Sequence, residues 1–255
     1  MGVAGQPAVQ IEGVTRRFGG LTALNGFSMA VRPGTIHALI GPNGAGKSTV
    51  FNCIAGLYKP QEGDIRIDGR SVIGAPAHAR AGLGVGRTFQ NLELFKELSV
   101  FENALIGAHV HCGGSMRSRM SGCPEPLRME IERILQRLGL QRYRDFSAGS
   151  LDFGHQKLLE LARALASRPR ILLLDEPAAG LRNREIGALD ELLTRLSRED
   201  GTTILLVEHV MQLVMSVAQE VTVLNFGTKI AEGRPEEVKR HPQVIEAYLG
   251  QGAAG

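Results

Sequence analysis

The sequence predicts an α/β fold built around a mainly parallel sheet, and three observations support this prediction. The apolar stretch "GTIHALI" at 34–40 runs into a glycine-rich loop, and the residues after the loop have helical spacing. Further along, "RILLLDEP" is typical of a buried parallel strand, because its apolar residues follow one another without a polar interruption. Downstream of it, helical and strand-like patterns alternate, as they do in doubly wound sheets.

The other elements follow in chain order. Residues 8–40 alternate short apolar runs with turns and predict an antiparallel β region ahead of the glycine-rich loop, with further short strands at Gly63–Ile67 and at 72–73. Residues from about 91 to 160 predict an inserted helical subdomain, in which Ser99 and Glu102 have the spacing of a capping box.

The last third of the chain completes the α/β alternation. A helix around 186–196, a strand at "TTILLVEH", a helix from about Val210 and a strand at "EVTVLNF" are predicted. The segment from about 235 to 250 predicts two short amphipathic helices broken by Pro242. We therefore expect one large domain over residues 8–255.

Composition excludes several classes of protein. A length of 255 residues is ample for a core, and a net charge of +3 is too balanced to indicate nucleic acid or an anionic bilayer as the partner. The sequence contains no apolar run near the ~20 residues that a membrane helix needs, and its N-terminus does not resemble a secretory signal. We expect a soluble cytoplasmic chain. The three cysteines are an odd number, which does not fit a disulfide framework.

One cluster could instead bind a metal ion. His109, His111, Cys112 and Cys123 combine the right donor atoms, but their spacing fits no ordinary zinc pattern. We expect a polar, glycine-containing loop here.

The glycine-rich loop is the clearest chemical signal in the chain. In "GPNGAGKSTV", Gly41, Gly46, Lys47 and Ser48 match the P-loop pattern, in which glycines let the backbone wrap around phosphates at a helix N-terminus. Lys47 would reach the outer phosphates and the Ser48 hydroxyl would bind magnesium. An ordinary glycine turn before a core helix is the alternative.

A carboxylate pair ends the buried strand of "RILLLDEP". Beside a P-loop, Asp175 would hold Mg²⁺ and Glu176 would polarise the water that attacks the γ-phosphate. His209 after the next strand could reach the γ-phosphate, and the Gln90 amide could contact magnesium or the attacking water. Taken alone, each of these residues also fits a strand-end turn or an ordinary surface position.

These pieces, in this order, resemble the nucleotide-binding subunits of ABC transporters. The resemblance covers the whole chain, and "RTFQNLELFKELSVFENALIGAH" and "AEGRPEEVKRHPQVIEAYLG" are most similar to an ATP-binding subunit of branched-chain amino-acid importers. It implies a P-loop NTPase core of the ABC ATPase type. Phe18 would stack on adenine rather than plug the core, Gln90 would form the Q-loop, and "SLDFGHQ" would be the signature.

By this resemblance, the cofactors are ATP and Mg²⁺. Two such subunits, identical or different, would close head to tail, with each nucleotide between one chain's P-loop and the other's signature. The Q-loop and helical subdomain would grip membrane permease subunits on the cytoplasmic side of the membrane, and a solute-binding protein would take part indirectly. The implied nucleotide-binding residues are Phe18, Gly41, Pro42, Asn43, Gly44, Ala45, Gly46, Lys47, Ser48, Thr49, Leu151, Asp152, Gly154 and His155.

The sequence departs from the family at two motifs. Asp152 replaces the usual serine of the signature, and Arg182 replaces an aspartate of the D-loop. Because the two charges are opposite, Arg182 could offset Asp152, either by reaching back to it or by reaching forward to phosphate. We expect the site that uses this chain's P-loop, Glu176 and His209 to turn over, and the site that uses its signature mainly to hold nucleotide. The alternative is that Asp152 and Arg182 are both solvated loop positions.

The sequence is also compatible with other functions. Importers of urea, amides or aromatic acids use similar subunits, and a soluble ABC-type ATPase acting on nucleic acid or ribosomes would use the same site. The short stretch between Gln90 and the signature, without sustained heptads, argues against that second class. A nucleotide-gated module without hydrolysis is disfavoured by Glu176 and His209.

Overall fold

The structure is a computed structural model, and it describes residues 5–88, 92–111 and 124–249. It contains two β-sheets with helices packed around them. The strands are β1 Val9–Phe18, β2 Leu21–Val31, β3 Ile36–Ile40, β4 Glu62–Ile67, β5 Arg70–Ser71, β6 Val85–Arg87, β7 Ile171–Asp175, β8 Thr203–Val207, β9 Glu220–Asn225 and β10 Thr228–Gly233. The α-helices are α1 Lys47–Ile54, α2 Ala77–Gly82, α3 Val100–Gly107, α4 Glu125–Arg137, α5 Phe153–Leu165, α6 Asn183–Arg198, α7 Met211–Val217, α8 Pro235–Val238 and α9 Pro242–Leu249.

The larger sheet has the order β10-β9-β3-β8-β7-β6, and its strands are parallel except for the β9–β10 pair. The smaller sheet has the order β2-β1-β4-β5 and is antiparallel. Both confirm the predicted fold class. In the parallel sheet, β8 lies between β3 and β7, so the loops that follow these three strands open at the same edge.

The helical segment has the predicted capping box. Ser99 Oγ accepts a hydrogen bond from the Glu102 amide at 3.1 Å, and Glu102 Oε2 accepts one from the Ser99 amide at 2.7 Å. Buried residues of α3 and α4 join β7 residues such as Leu172 in one apolar cluster. The helical segment is therefore packed against the sheet through a shared core, and α5 continues to Leu165, beyond the predicted end of the subdomain.

Some predicted boundaries were wrong. The short strand expected at 72–73 lies at Arg70–Ser71, because Asp68 and Gly69 form a tight turn with positive φ that returns the chain at once onto β4. Neither α2 nor β10 was predicted, since both are short and mix polar with small residues. Pro242 begins α9, at a position where the missing N–H costs nothing. Within the described residues, the helices are too short or too polar to cross a membrane.

A buried histidine lies in the centre of the parallel sheet. His37 of β3 is fully buried, and its Nε2 lies 2.8 Å from Thr222 Oγ1. Burial lowers the pKa of His37 to about 4, while Glu232 opposes this shift and Arg32 and Lys229 reinforce it. The histidine is consequently neutral in the folded protein at neutral pH.

This burial predicts a stability that depends on pH. The unfolded chain takes up a proton at His37 near pH 6.5 but the folded chain only near pH 4, so stability is fully present above pH 6.5 and falls as the pH drops towards 4. We expect this one group to remove about 3 kcal/mol of unfolding free energy across that interval. Urea unfolding of the wild type and of His37→Gln between pH 4 and 7.5 measures it. A difference between the two proteins that stays constant with pH would contradict the prediction.

Candidate functional site

The P-loop connects β3 to α1 and is shaped by glycines at its two ends. Gly41 and Gly46 both have positive φ, and a Cβ on them would lie 2.0 Å from the Leu224 carbonyl oxygen and 2.5 Å from the Ala23 carbonyl oxygen. Only glycine fits in these positions. No side chain caps α1, so the first amides of this helix point into the loop without a side-chain partner.

Lys47 begins α1 and bends back into the loop. Its Nζ donates hydrogen bonds to the carbonyl oxygens of Gly41 at 2.6 Å and Pro42 at 2.9 Å. Burial lowers the pKa of Lys47, and the nearby carboxylates of Glu176 and Asp175 oppose the shift. A cation is thus held inside a ring of backbone groups, next to both predicted carboxylates. The other P-loop side chains lie at the surface or half-buried around it, except for buried Pro42 and Ala45.

Asp175 is the last residue of β7 and is almost completely buried. Its Oδ2 lies 3.5 Å from Arg87 Nη2, while its Oδ1 is buried without a hydrogen-bond partner among the described residues. Burial raises the pKa of Asp175, and the Arg87 guanidinium counteracts this. A buried carboxylate oxygen without a partner beside a phosphate-binding loop fits a divalent cation, which prefers oxygen ligands.

Glu176 follows directly, in a backbone conformation that non-glycine residues rarely adopt. Its φ is +50°, and its amide donates to the Val207 carbonyl oxygen at 2.9 Å. Such strain is typical of functional positions. Glu176 Oε1 lies 3.8 Å from Nδ1 of His209, whose side chain is 58% exposed. The carboxylate and the imidazole therefore face one another at the ends of two neighbouring strands.

Phe18 lies at the end of β1 and is 37% exposed, so it does not plug the core. The ring packs edge to face on Tyr58 with centroids 5.1 Å apart, and the Arg16 guanidinium lies 4.4 Å from the ring centroid. An exposed, well-supported aromatic ring is suited to stacking on a base.

The predicted signature spans the N-terminus of α5. Asp152 caps the helix: its Oδ1 accepts from the His155 amide at 2.9 Å and lies 2.7 Å from His155 Nδ1. Leu151 is buried, and a Cβ on Gly154 would lie 3.1 Å from Glu185 of α6. These two contacts of Asp152 are both made with His155, in the first turn of α5.

Compensation of Asp152 by Arg182 stays a prediction, and the structure shows a nearer partner for Asp152. The hydrogen bonds from the His155 backbone and imidazole lower the pKa of Asp152 most, and Arg182 adds only a smaller electrostatic contribution. The described residues show no ion pair between Asp152 and Arg182. The hydrogen-bond partner of Asp152 in this chain is His155, one turn along the same helix.

Several predicted site residues lie outside the part of the chain that the structure describes. Gln90 lies outside the described residues, as do Cys112, Cys123 and the side chain of His111. Nδ1 of His109 lies 3.1 Å from the Ile106 carbonyl oxygen. Among the described residues, His, Cys, Asp and Glu form no cluster that could hold a metal ion. The zinc alternative is therefore not tested.

Sequence reasoning missed two residues of the site. Arg87 ends β6 and joins Asp175 to Asn52 of α1, whose Oδ1 accepts from Arg87 Nη1 at 2.7 Å. Glu208 is a completely buried carboxylate between β8 and His209. An arginine close before the Q-loop and an acidic residue at the end of an apolar strand were the available signals.

Comparison with known proteins agrees with this geometry. The family model described as "ABC transporter" matches residues 24–179, and the one described as "Branched-chain amino acid ATP-binding cassette transporter" matches residues 228–254. Among curated relatives, the high-affinity branched-chain amino acid transport ATP-binding protein BraF of Pseudomonas aeruginosa is 44% identical, with 96% of this chain and 99% of that protein covered. The high-affinity branched-chain amino acid transport ATP-binding protein LivG of Escherichia coli is 43% identical, again with 96% of this chain and 99% of that protein covered.

Solved structures are similar as well. The ADP conformation of MJ1267, an ATP-binding cassette of an ABC transporter, matches with a TM-score of 0.85 and 32% identity, covering 96% of this chain and 99% of that one. A dimeric post-hydrolysis state of the cassette MJ0796 bound to ADP and Pi matches with a TM-score of 0.78 and 26% identity, covering 89% and 98%. On its motifs, its fold and these matches, the chain belongs to the ATP-binding cassette family of ABC transporters, whose members hydrolyse ATP.

Proposed function

We propose that this chain binds Mg²⁺-ATP and hydrolyses it to power an importer of branched-chain amino acids. The observation that carries the catalytic part is the convergence of Lys47, Asp175, Glu176 and His209 at one edge of the parallel sheet. The observation that supports the solute is the match of residues 228–254 to a family model specific to branched-chain amino-acid cassettes. Importers of urea, amides or aromatic acids remain the alternative.

The residues divide the chemistry among them. The P-loop amides and Lys47 bind the phosphates, and Phe18 stacks on the adenine. Ser48, Asp175 and, by resemblance, Gln90 would hold Mg²⁺, which when bound neutralises phosphate charge. Glu176 orients and polarises the attacking water, and His209 contacts the γ-phosphate.

We infer the assembly from the resemblance together with the dimeric relative. A second cassette would supply its signature to this chain's P-loop, and this chain's Leu151, Asp152, Gly154 and His155 would face the partner's nucleotide. The helical segment and Gln90 would contact permease subunits, so the chain would lie peripherally on the cytoplasmic face of the membrane. Unequal turnover of the two composite sites stays a prediction.

Capture of the tagged full-length chain from its native cells tests the assembly. Retention of integral membrane proteins and a second or identical cassette in mild detergent is expected. Co-purification with nucleic acid or ribosomes, and never with membrane proteins, would contradict the transporter assignment and favour the soluble ATPase class.

Adenine stacking by Phe18 has its own test. We expect Phe18→Ala to weaken ATP binding by about 1–3 kcal/mol, the usual contribution of one base stacked on an aromatic ring. Phe18→Tyr should bind ATP like the wild type because the ring remains. Calorimetric titration with ATP and with free triphosphate separates the two contributions, since triphosphate affinity should not change. An unchanged ATP affinity in Phe18→Ala would rule out stacking.

A further inference from the structure

Glu208 is the completely buried residue that follows β8. Its Oε1 accepts a hydrogen bond from the Ala178 amide at 2.8 Å. Its Oε2 accepts from the amides of His209 at 2.8 Å and Val210 at 2.9 Å. One carboxylate, with no exposed side-chain surface, thus binds three backbone N–H groups in two separate loops. A buried carboxylate needs such donors, because without them its desolvation is costly.

The first of these loops carries Glu176. Ala178 lies two residues after it, in the turn that leads from β7 towards α6, and Glu176 has the left-handed φ of +50°. The turn is attached to the β8 segment at two points, through the Glu176 amide on the Val207 carbonyl oxygen and through the Ala178 amide on Glu208. A strained backbone conformation persists only where neighbouring contacts hold it, and these two bonds fix the turn at Glu176 itself and two residues beyond it.

The second loop carries His209. Val210 is the N-cap of α7, and Glu208 Oε2 accepts hydrogen bonds from its amide and from that of His209. His209 Nδ1 lies 3.8 Å from Glu176 Oε1 and 3.9 Å from Glu208 Oε2. The distance between Glu176 and His209 therefore depends on one carboxylate, that of Glu208, which is bonded to both of their loops.

We propose that Glu208 is a positioning residue for ATP hydrolysis, which holds the Glu176 turn and the His209 turn at a fixed distance. This inference rests on the proposed function, since it concerns the residues that would perform the reaction. Glu208 does not touch the nucleotide. It contributes to turnover by keeping the two loops in register, and it should contribute little to ATP binding.

Two substitutions change the hydrogen bonds of the Glu208 carboxylate in different ways. Glu208→Asp shortens the side chain by one methylene, so its carboxylate still accepts from the amides one and two residues ahead but no longer reaches Ala178. Glu208→Gln keeps the length but offers one acceptor oxygen to donors on both sides, so one loop loses its partner. Glu191→Asp, on the exposed face of α6, is the matched control.

Two measurements on the full-length chain decide the proposal. By NMR, amide exchange at Ala178 should become about tenfold faster or more in Glu208→Asp, while exchange at His209 and Val210 stays near wild type. In the same variant kcat for ATP should fall about tenfold or more with ATP affinity nearly unchanged, and Glu208→Gln should also lose kcat. Glu191→Asp should change neither.

Other outcomes would overturn it. Wild-type kcat in Glu208→Asp, with a freely exchanging Ala178 amide, would show that the link is not needed for turnover. A parallel loss of kcat, ATP affinity and unfolding free energy in both variants would show a general structural role. If the wild-type chain bound but never hydrolysed ATP, the proposed function would fail, and amide exchange would still report whether Glu208 joins the two loops.

Discussion

Replacing Glu176 with Gln should nearly abolish ATP turnover while leaving ATP bound. Glutamine keeps the size of the side chain, and the backbone bond from residue 176 to the Val207 carbonyl oxygen is unaffected, so the turn should keep its shape. What is lost is the negative charge that polarises water, and a positioned general base contributes about 10²–10⁴-fold. We therefore expect kcat to fall by about that factor with ATP affinity retained.

Phosphate release and equilibrium ATP binding, measured on the same preparations, check this expectation. Because ATP is held without being hydrolysed, a nucleotide-dependent dimer should also persist longer in the variant, which size-exclusion chromatography with ATP would reveal. Glu191→Gln on the exposed face of α6 serves as the control and should hydrolyse like the wild type. Near-normal turnover in Glu176→Gln would show that Glu176 is not the catalytic base.

Replacing Lys47 with Ala should nearly abolish ATP binding itself. The Lys47 ammonium lies inside the P-loop and bonds to two carbonyl oxygens of the loop, so it is already placed where phosphate oxygens would arrive. In the complex the ammonium would donate to phosphate oxygens, and two such charged hydrogen bonds, at about 1.5–3 kcal/mol each, correspond to about 10²–10⁴-fold in ATP affinity. The backbone amides of α1 would remain as the only donors of this cradle.

Calorimetric titration of the variant with ATP, alongside urea unfolding, separates lost binding from lost folding. Lys239→Ala, at an exposed position near α8, should bind ATP normally. If Lys47→Ala retained ATP affinity within a few-fold of the wild type, Lys47 would not bind the phosphates of ATP. The assignment of this loop as the phosphate site would then be contradicted.

Local rules explain what the sequence predicted well. The P-loop depends on glycines at fixed spacing between a strand and a helix, and Gly41 and Gly46 have the positive φ that this requires. Asp175 and Glu176 follow an uninterrupted apolar run, so their place at a strand end was predictable. The Ser99 capping box needs only residues three apart and was predicted for the same reason.

Contacts between distant segments explain what the sequence could not predict. The bond from Ala178 to Glu208 joins residues 30 apart in the chain, and the ion pair of Arg87 with Asp175 joins residues 88 apart. At Asp152, opposite charge suggested Arg182 from the sequence, and the structure adds a hydrogen-bonded histidine within one helical turn. Pairing of charges from sequence alone ignores which side chain is already in reach.

The most direct measurement of the central claim is ATP-driven uptake of radiolabelled leucine by right-side-out vesicles. The vesicles would contain the transporter captured with this chain, with ATP sealed inside and the solute-binding protein added outside. We predict that leucine uptake requires internal ATP and is lost with the Glu176→Gln chain. Excess isoleucine or valine should suppress the uptake, and urea should not. Uptake that proceeds equally without ATP, or with the Glu176→Gln chain, would contradict the claim that this chain powers the transport.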